Sequence, residues 1–295
     1  MCGIVGLYLK TKKYEKSLGT FLSGMLDSME NRGPDSAGFA IYTKEEKSKY
    51  KYSICLNKLT DAEFKKRLIK DLKKKVKVKK FSDHVVLETT DKPKKVLKFL
   101  KEKLSEVSLV GYGKCINIFK QTGRPSDIVK NFSLSSFSGS HGIGHTRMAT
   151  ESAITTEGSH PYSTAEDECL VHNGSLSNHN NIRRVLVKKG EIFSSENDTE
   201  VAAGYISSQI SSGQDLESTL KESLKNLDGF YTFIAGTKKG FALLRDEIAC
   251  KPAVIAETKD YVAIASEFQA MAHLPGVNEA NIFEPEPGIV YSWGN

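Results

Sequence analysis

GIGHTRMATESAITTEGSHPYSTAEDECLVHNGSLSN (142–178) holds two short apolar runs, GIGHTRMA and CLVHNGSL, each giving way to polar residues. Runs of this length bounded by turn formers read as β-strands. The same texture continues outward. FYTFIAGT (230–237), GFALLR (240–245), PAVIAE (252–257), YVAIASE (261–267) and IVYSW (289–293) follow it, several joined through Gly, Lys or Asp turns of the hairpin kind. CGIVGLYL (2–9) and AGFAIYT (37–43) precede it. Between them lie helical patterns. Leu18, Leu22, Met25, Leu26 and Met29 share a helical face closed by Gly33 and Pro34. A second helix is expected from an Asn178 cap to Gly190, and a third from NDTE (197–200), where Asn197 and Glu200 have capping-box spacing. A fourth is expected from about Leu216 to Leu227. Many strands interrupted by helices, without a βαβ alternation, argue for a layered α+β fold.

The 295 residues are 39% hydrophobic and 26% charged, ordinary for a soluble globular chain, and no apolar run reaches the ~20 residues that span a bilayer. The N-terminus has its lysines after its apolar stretch, the wrong order for a secretory signal, so a cytoplasmic location is expected. Five scattered cysteines without CxxC spacing suggest reduced thiols, and neither a metal site nor a disulfide framework is expected. The net charge of +6 is uneven: residues 44–130 carry 25 Lys and Arg against 11 Asp and Glu, so the rest is acidic. No nucleic-acid partner is expected, because the basic segment has no aromatic or finger pattern. Residues 2–295 read as one domain containing a lysine-rich insertion at 44–140. Within it, SDHVVLETTDKPKKVLKFLKEKLSEV suggests strand, turn and helix, and KDLKKKVKVKK an exposed edge or connection.

Four motifs carry chemistry. Removal of Met1 would leave Cys2 with a thiol and a free α-amine, a nucleophile and a base on one residue. Arg147 ends a strand, where a guanidinium can grip a carboxylate through paired hydrogen bonds. In VHNGSLSN (171–178), the Asn173 side-chain amide and the Gly174 N–H could face a developing oxyanion. Asp198 opens a helix, where a carboxylate suits the dipole or an incoming ammonium group. Each has a plain structural reading as well: a chance Met-Cys start, an exposed strand-end Arg, a hairpin Asn-Gly turn and a helix cap. Together they fit free glutamine, which presents a carboxylate, an amine and a side-chain amide. His145, His160 and His172 flank these motifs and read as hydrogen-bonded supporting groups.

MCGIVGLY, NRGPDSAG, GHTRMAT, HPYS, HNGSLSN and NDTE, in this order, resemble the class II glutamine amidotransferases. The resemblance covers residues 1–43 and 141–295 and implies the four-layer αββα sandwich of N-terminal-nucleophile hydrolases. It implies Cys2 as nucleophile with its own amine as base, Asn173 and Gly174 as oxyanion hole, Arg147 on the α-carboxylate and Asp198 on the α-amine of L-glutamine. Met148 and Thr150 would line the same pocket, and Arg32 and Asp35 would hold the Cys2 segment. Longer strings such as GIGHTRMATESAITTEGSHPYS and RDEIACKPAVIAE look most like the glutamate-synthase-like branch, which includes the glutaminase subunits of N-methylglutamate synthase. That likeness implies no cofactor in this chain and ammonia transfer to a separate glutamate-synthase-like partner bearing a flavin. Met148 and Glu151 stand where many sugar-directed members have Trp and His, so a hexosamine-synthase role is not expected. The stretch 58–104 matches no family pattern. Two rival readings remain at this level: an independent hydrolase of another amide, and a non-catalytic assembly subunit that keeps the fold.

Overall fold

Strand β1 (Gly3–Leu9) sends Val5, Leu7 and Leu9 into one core and Ile4 into another, as the two-residue period of a strand requires. That division organises the molecule. The structure is a computed structural model describing residues 1–71, 76–149 and 153–294. β1 lies in a seven-stranded antiparallel sheet ordered β14 (Asn281–Phe283), β12 (Val254–Glu257), β13 (Tyr261–Ala265), β1, β8 (His141–Arg147), β2 (Ser36–Tyr42) and β7 (Ile116–Thr122). A second antiparallel sheet runs β15 (Val290–Trp293), β11 (Phe241–Arg245), β10 (Gly229–Gly236), β9 (Cys169–Leu176).

Three cores separate four layers. Leu22, Met25 and Leu26 of α1 (Leu18–Ser28) and Ile128 of α4 (Pro125–Asn131) pack on Val5, Leu7, Phe39 and Phe119. Between the sheets, Ile4, Ala40, Ile143 and Ile264 meet Val171, Ile234 and Leu243. On the far side, Tyr231, Phe233 and Leu244 meet Leu186 of α5 (His179–Lys188), Val201 and Ile206 of α6 (Asp198–Ser211), and Leu220 of α7 (Leu216–Asn226). Helices, sheet, sheet, helices: this is the αββα sandwich. No helix among the described residues is long and apolar enough to cross a membrane.

A third sheet, ordered β4 (Lys77–Phe81), β5 (His84–Thr89), β3 (Tyr50–Cys55) and β6 (Ser108–Gly113), lies against β7, whose Ile118 N–H donates to Ser53 Oγ at 2.9 Å. With α2 (Asp61–Asp71) and α3 (Pro93–Lys103) it closes its own core of Tyr52, Ile54, Phe64, Leu68, Val85, Leu87 and Val96. The expected 44–140 insertion is therefore divided. Residues 50–113 build this unit, whereas β7 pairs with β2 along its whole length and α4 packs on α1, so 116–140 lie in the sandwich itself. Within KDLKKKVKVKK, residues 72–75 lie outside the described set, and Lys77, Lys79 and Lys80 sit on the edge strand β4. Lysines there discourage edge-to-edge pairing.

Local expectations are corrected at three points. Asn178 does not cap α5: with φ −97° and ψ 9° its side chain turns away, donating to the Asn226 carbonyl at 2.9 Å and accepting from the Asp228 N–H at 3.1 Å. Asn197 does cap α6, accepting from the Thr199 N–H at 2.8 Å, but Glu200 reaches the Ser194 and Ser195 N–H groups instead of closing the box. Asn173-Gly174 is no hairpin turn, because β9 runs through it in register with Thr232 and Tyr231 of β10. Gly174 keeps the strand continuous at φ +148°, where a Cβ would stand 2.0 Å from the Phe230 carbonyl oxygen.

Candidate active site

Cys2 sits half-buried one residue before β1. Its carbonyl accepts a hydrogen bond from Arg32 Nε at 3.0 Å, and the same guanidinium is ion-paired with Glu267. The Ile4 N–H donates to Ser266 Oγ at 3.0 Å, so the nucleophile segment is gripped from both flanks. Gly33 lets this happen: a Cβ there would lie 2.3 Å from the Thr146 carbonyl carbon, so only glycine allows the Arg32 turn so close to β8. Asp35 acts elsewhere than expected. Its N–H donates to the Arg147 carbonyl at 3.1 Å and its Oδ2 accepts from the Ala149 N–H at 2.8 Å, which fastens 147–149 and not the Cys2 segment. Cys2 meets that fastened strip, with its Sγ 3.8 Å from the Met148 carbonyl oxygen. The amine of Met1 lies 3.0 Å from Met148 Sδ.

Cys2, Arg147, Met148, Gly174 and Asp198 line one cleft of about 550 Å³. Arg147, at the end of β8, is buried and donates through Nη1 to the Ala153 carbonyl at 3.2 Å. Asn173 borders the cleft from β9. The strand period places it with Val171 on the face turned toward β1, and its buried Nδ2 has no hydrogen-bond partner among the described residues. A buried donor left open in this way is costly unless something else fills it. Thr150 lies outside the described residues.

Asp198, the first residue of α6, accepts from the Leu176 N–H at 2.9 Å. Burial pushes its carboxyl up, but His172 beside it and the Leu176 N–H outweigh that and hold it at about 2. The site therefore keeps a fixed anion. Behind it stand three imidazoles. His145 donates to the His172 carbonyl at 2.9 Å, which ties β8 to β9 across the sheets, and stacks on His160 with ring centres 3.9 Å apart. Burial drives the His145 imidazole down to about 3 and His160 well below its ordinary value, so both are neutral.

The cleft also recruits residues that the motif reading had not assigned: Glu196 and Thr199 beside Asp198, and Phe230 and Lys251 at the other wall. Thr199 belongs to NDTE and Lys251 to RDEIACKP, so both strings were visible, but nothing local shows that they converge. A larger groove of about 720 Å³ between 166–168 and Lys238–Lys239 contains none of the motif residues. Among the described residues, Cys55, Asp83 and His84 bring three potential metal-ligand atoms within 4.8 Å of one another. They lie in the third sheet, away from the cleft, and are mutually engaged: His84 Nδ1 with Asp83 at 2.8 Å, and the Cys55 thiol with Asn57 Oδ1 at 3.1 Å.

A family profile described as a glutamine amidotransferase domain matches residues 145–273. The chain is 49% identical over 297 residues to the glutamine amidotransferase-like protein GlxB of Rhizobium meliloti, covering 99% of this chain and 98% of that one. It is 30% identical to a putative glutamine amidotransferase of Methanothermobacter thermautotrophicus, covering 99% of both. Coverage of this extent takes in the third sheet as well as the sandwich. Among solved structures, the glutamine phosphoribosylpyrophosphate amidotransferase of B. subtilis superposes with a TM-score of 0.64 at 21% identity, over the whole of this chain and 47% of that one. With the sandwich, the motif residues on one cleft and these relatives in agreement, the chain belongs to the class II glutamine amidotransferases, enzymes with the N-terminal-nucleophile fold.

Proposed function

We propose that, once Met1 is removed, this chain hydrolyses L-glutamine through a thioester on Cys2 and passes the ammonia to a separate glutamate-synthase-like partner, by resemblance a flavin-bearing one. The observation that carries the reading is the cleft itself. A thiol, a cation and an anion line one cleft of about 550 Å³, and the buried amide donor of Asn173 stands next to its Gly174 wall, the complement of one zwitterionic amide substrate. Arg147 receives the α-carboxylate and Asp198 the α-ammonium group, which leaves the side-chain amide facing Cys2.

The Cys2 Sγ attacks the amide carbon while its freed α-amine takes the thiol proton. Asn173 Nδ2 and the Gly174 N–H hold the oxyanion. The C–N bond breaks, the amine returns its proton to the departing ammonia, and water then cleaves the thioester to glutamate. Met148 lends its carbonyl to the thiol, and Arg32 holds the Cys2 carbonyl behind it. Processing matters because, with Met1 attached, the α-nitrogen of Cys2 is a peptide nitrogen without basicity.

The experiment is ammonia release from glutamine by the processed chain, alone and with a glutamate-synthase-like subunit. Release that rises in the presence of that subunit, together with a complex that survives moderate salt, is expected. Full turnover by the chain alone, indifferent to the subunit, would favour an independent hydrolase. No release under either condition would favour an assembly subunit.

A further inference from the structure

The reading above leaves Thr199 without a role, although it is buried at the foot of the cleft and touches three other polar side chains. Its Oγ1 lies 2.8 Å from His160 Nε2, 2.9 Å from His172 Nδ1 and 3.3 Å from Asp198 Oδ1. A hydroxyl has one proton to give and two lone pairs to receive. The carboxylate can only accept, and it is the strongest acceptor of the three, so the hydroxyl proton goes to Asp198. Both imidazoles must then donate to Thr199, which fixes His160 as its Nε2–H tautomer and places a proton on His172 Nδ1. The third imidazole is set independently: His145 Nε2 faces the His172 carbonyl, which accepts only, so this nitrogen carries the proton.

We propose that Thr199 is a positioning residue for the ammonium-binding carboxylate, holding Asp198 Oδ1 in place through its hydroxyl. This inference rests on the assignment of Asp198 to the substrate α-ammonium group. An arginine or a charged imidazole in the place of Thr199 would orient the carboxylate equally well, but it would neutralise it and repel the incoming cation. Here Oδ2 is fixed by the Leu176 N–H and Oδ1 by a hydroxyl, and each oxygen retains capacity to accept from the substrate. The imidazoles behind Thr199 are locked in turn. His160 stacks on His145, and His145 is tied to the strand that carries Asn173. The carboxylate that recognises the amine is thus referenced to the same strand as the amide proposed for the oxyanion.

The test compares L-glutamine with its α-desamino analogue, glutaramic acid, on the processed wild-type chain and on Thr199→Val and Thr199→Ser. Valine keeps the shape and removes the hydroxyl; serine keeps the hydroxyl. Thr199→Val is expected to raise KM for glutamine about tenfold with kcat within about twofold, and to lower the preference for glutamine over glutaramic acid about tenfold. A tenfold loss corresponds to ~1.4 kcal/mol, in the range of a charge-assisted contact. Thr199→Ser should restore both values to within about threefold. Equal losses for the two substrates in Thr199→Val, or no loss for either, would overturn the inference. Should the wild-type chain bind glutamate without turning over glutamine, the proposed function falls. The inference is then decided by calorimetry of glutamate against glutarate on the same variants, with the same expected change in preference.

Discussion

In the third sheet the packed core is apolar, and the buried carboxylates at its margin are paired, Glu88 with Lys79 at 3.5 Å and Asp91 with Lys95 at 3.0 Å. Lys98 and Glu102 pair at 3.8 Å on α3 with side chains 72% and 54% exposed, over a core of Phe64, Leu68 and Val96. In the cleft the order is reversed. Arg147, His160, His172, Asn173 and Thr199 are all buried, and among the described residues His160 Nδ1, His172 Nε2 and Asn173 Nδ2 have no hydrogen-bond partner. The first arrangement is what a chain adopts to stabilise itself, and the second is tolerated only where the open groups have a use. The contrast gives each region its own expected response to substitution.

The largest effect is expected in the cleft. Cys2→Ala should abolish ammonia release without moving the melting temperature, since Cys2 packs in none of the cores; ammonia release surviving in a clean preparation would break the assignment of the nucleophile. Next comes Asn173→Ala, expected to lower kcat by roughly 10²–10³ with KM little changed. Arg147→Ala should act mainly on KM, with about 2–4 kcal/mol lost from kcat/KM. If the two variants showed the same split between kcat and KM, the separation of oxyanion and carboxylate roles would be wrong.

In the third sheet the sign of the comparison turns over. Phe64→Ala removes a fully buried ring and should cost about 3–5 kcal/mol, read by hydrogen exchange in β3 and β5, with glutamine turnover by the folded fraction unchanged. A selective fall in kcat would show that the two regions are coupled. Acid should separate them as well. Burial holds His141 at about 4 and His145 at about 3, with His160 displaced the same way, and all three lie in the sandwich. Each is neutral when folded and titrates near pH 6.5 when unfolded. Their contribution is therefore complete above that value and is lost as pH falls toward the folded values, by up to ~1.4 kcal/mol per pH unit for each imidazole. Exchange protection in β8 should drop between pH 7 and 5, and flat protection over that range would contradict the assignment. The smallest effect belongs to Lys98→Gln, expected to change stability by no more than about 0.5 kcal/mol because its ion pair is solvated.

The strands of the sandwich were legible as short apolar runs, because both faces are buried, Val5, Leu7 and Leu9 against Ile4, or Ala37, Phe39 and Ile41 against Ala40 and Tyr42, while their four-layer arrangement came from the family resemblance. The third sheet was less so. In β4 lysines occupy both faces, and in β6 two glycines take positions that would otherwise show a period. β14 is three largely exposed residues, too short for any pattern. In the cleft, the residues borne by compact motifs could be named, while Thr199, Phe230 and Lys251 could not, because their importance lies in distances between β9, β10, α6 and the segment after β11. Asn173-Gly174 shows the opposite difficulty. The dipeptide most typical of a hairpin turn is held straight by pairing on β10, a tertiary decision that no local preference records.

The position of β1 between β8 and β13 has a consequence for the order in which the molecule is assembled. Val5 pairs with Gly144 on one side and with Ala265 on the other. The segment that delivers the nucleophile is therefore made before both of its neighbours and gains the second only after β13 has been made, because closing so long a loop must wait for the distant strand. A nascent or truncated chain lacking 254–265 would carry the thiol with one wall of its strand absent. Such a chain could not consume glutamine before the sandwich is whole, so topology alone delays activity until folding is nearly finished.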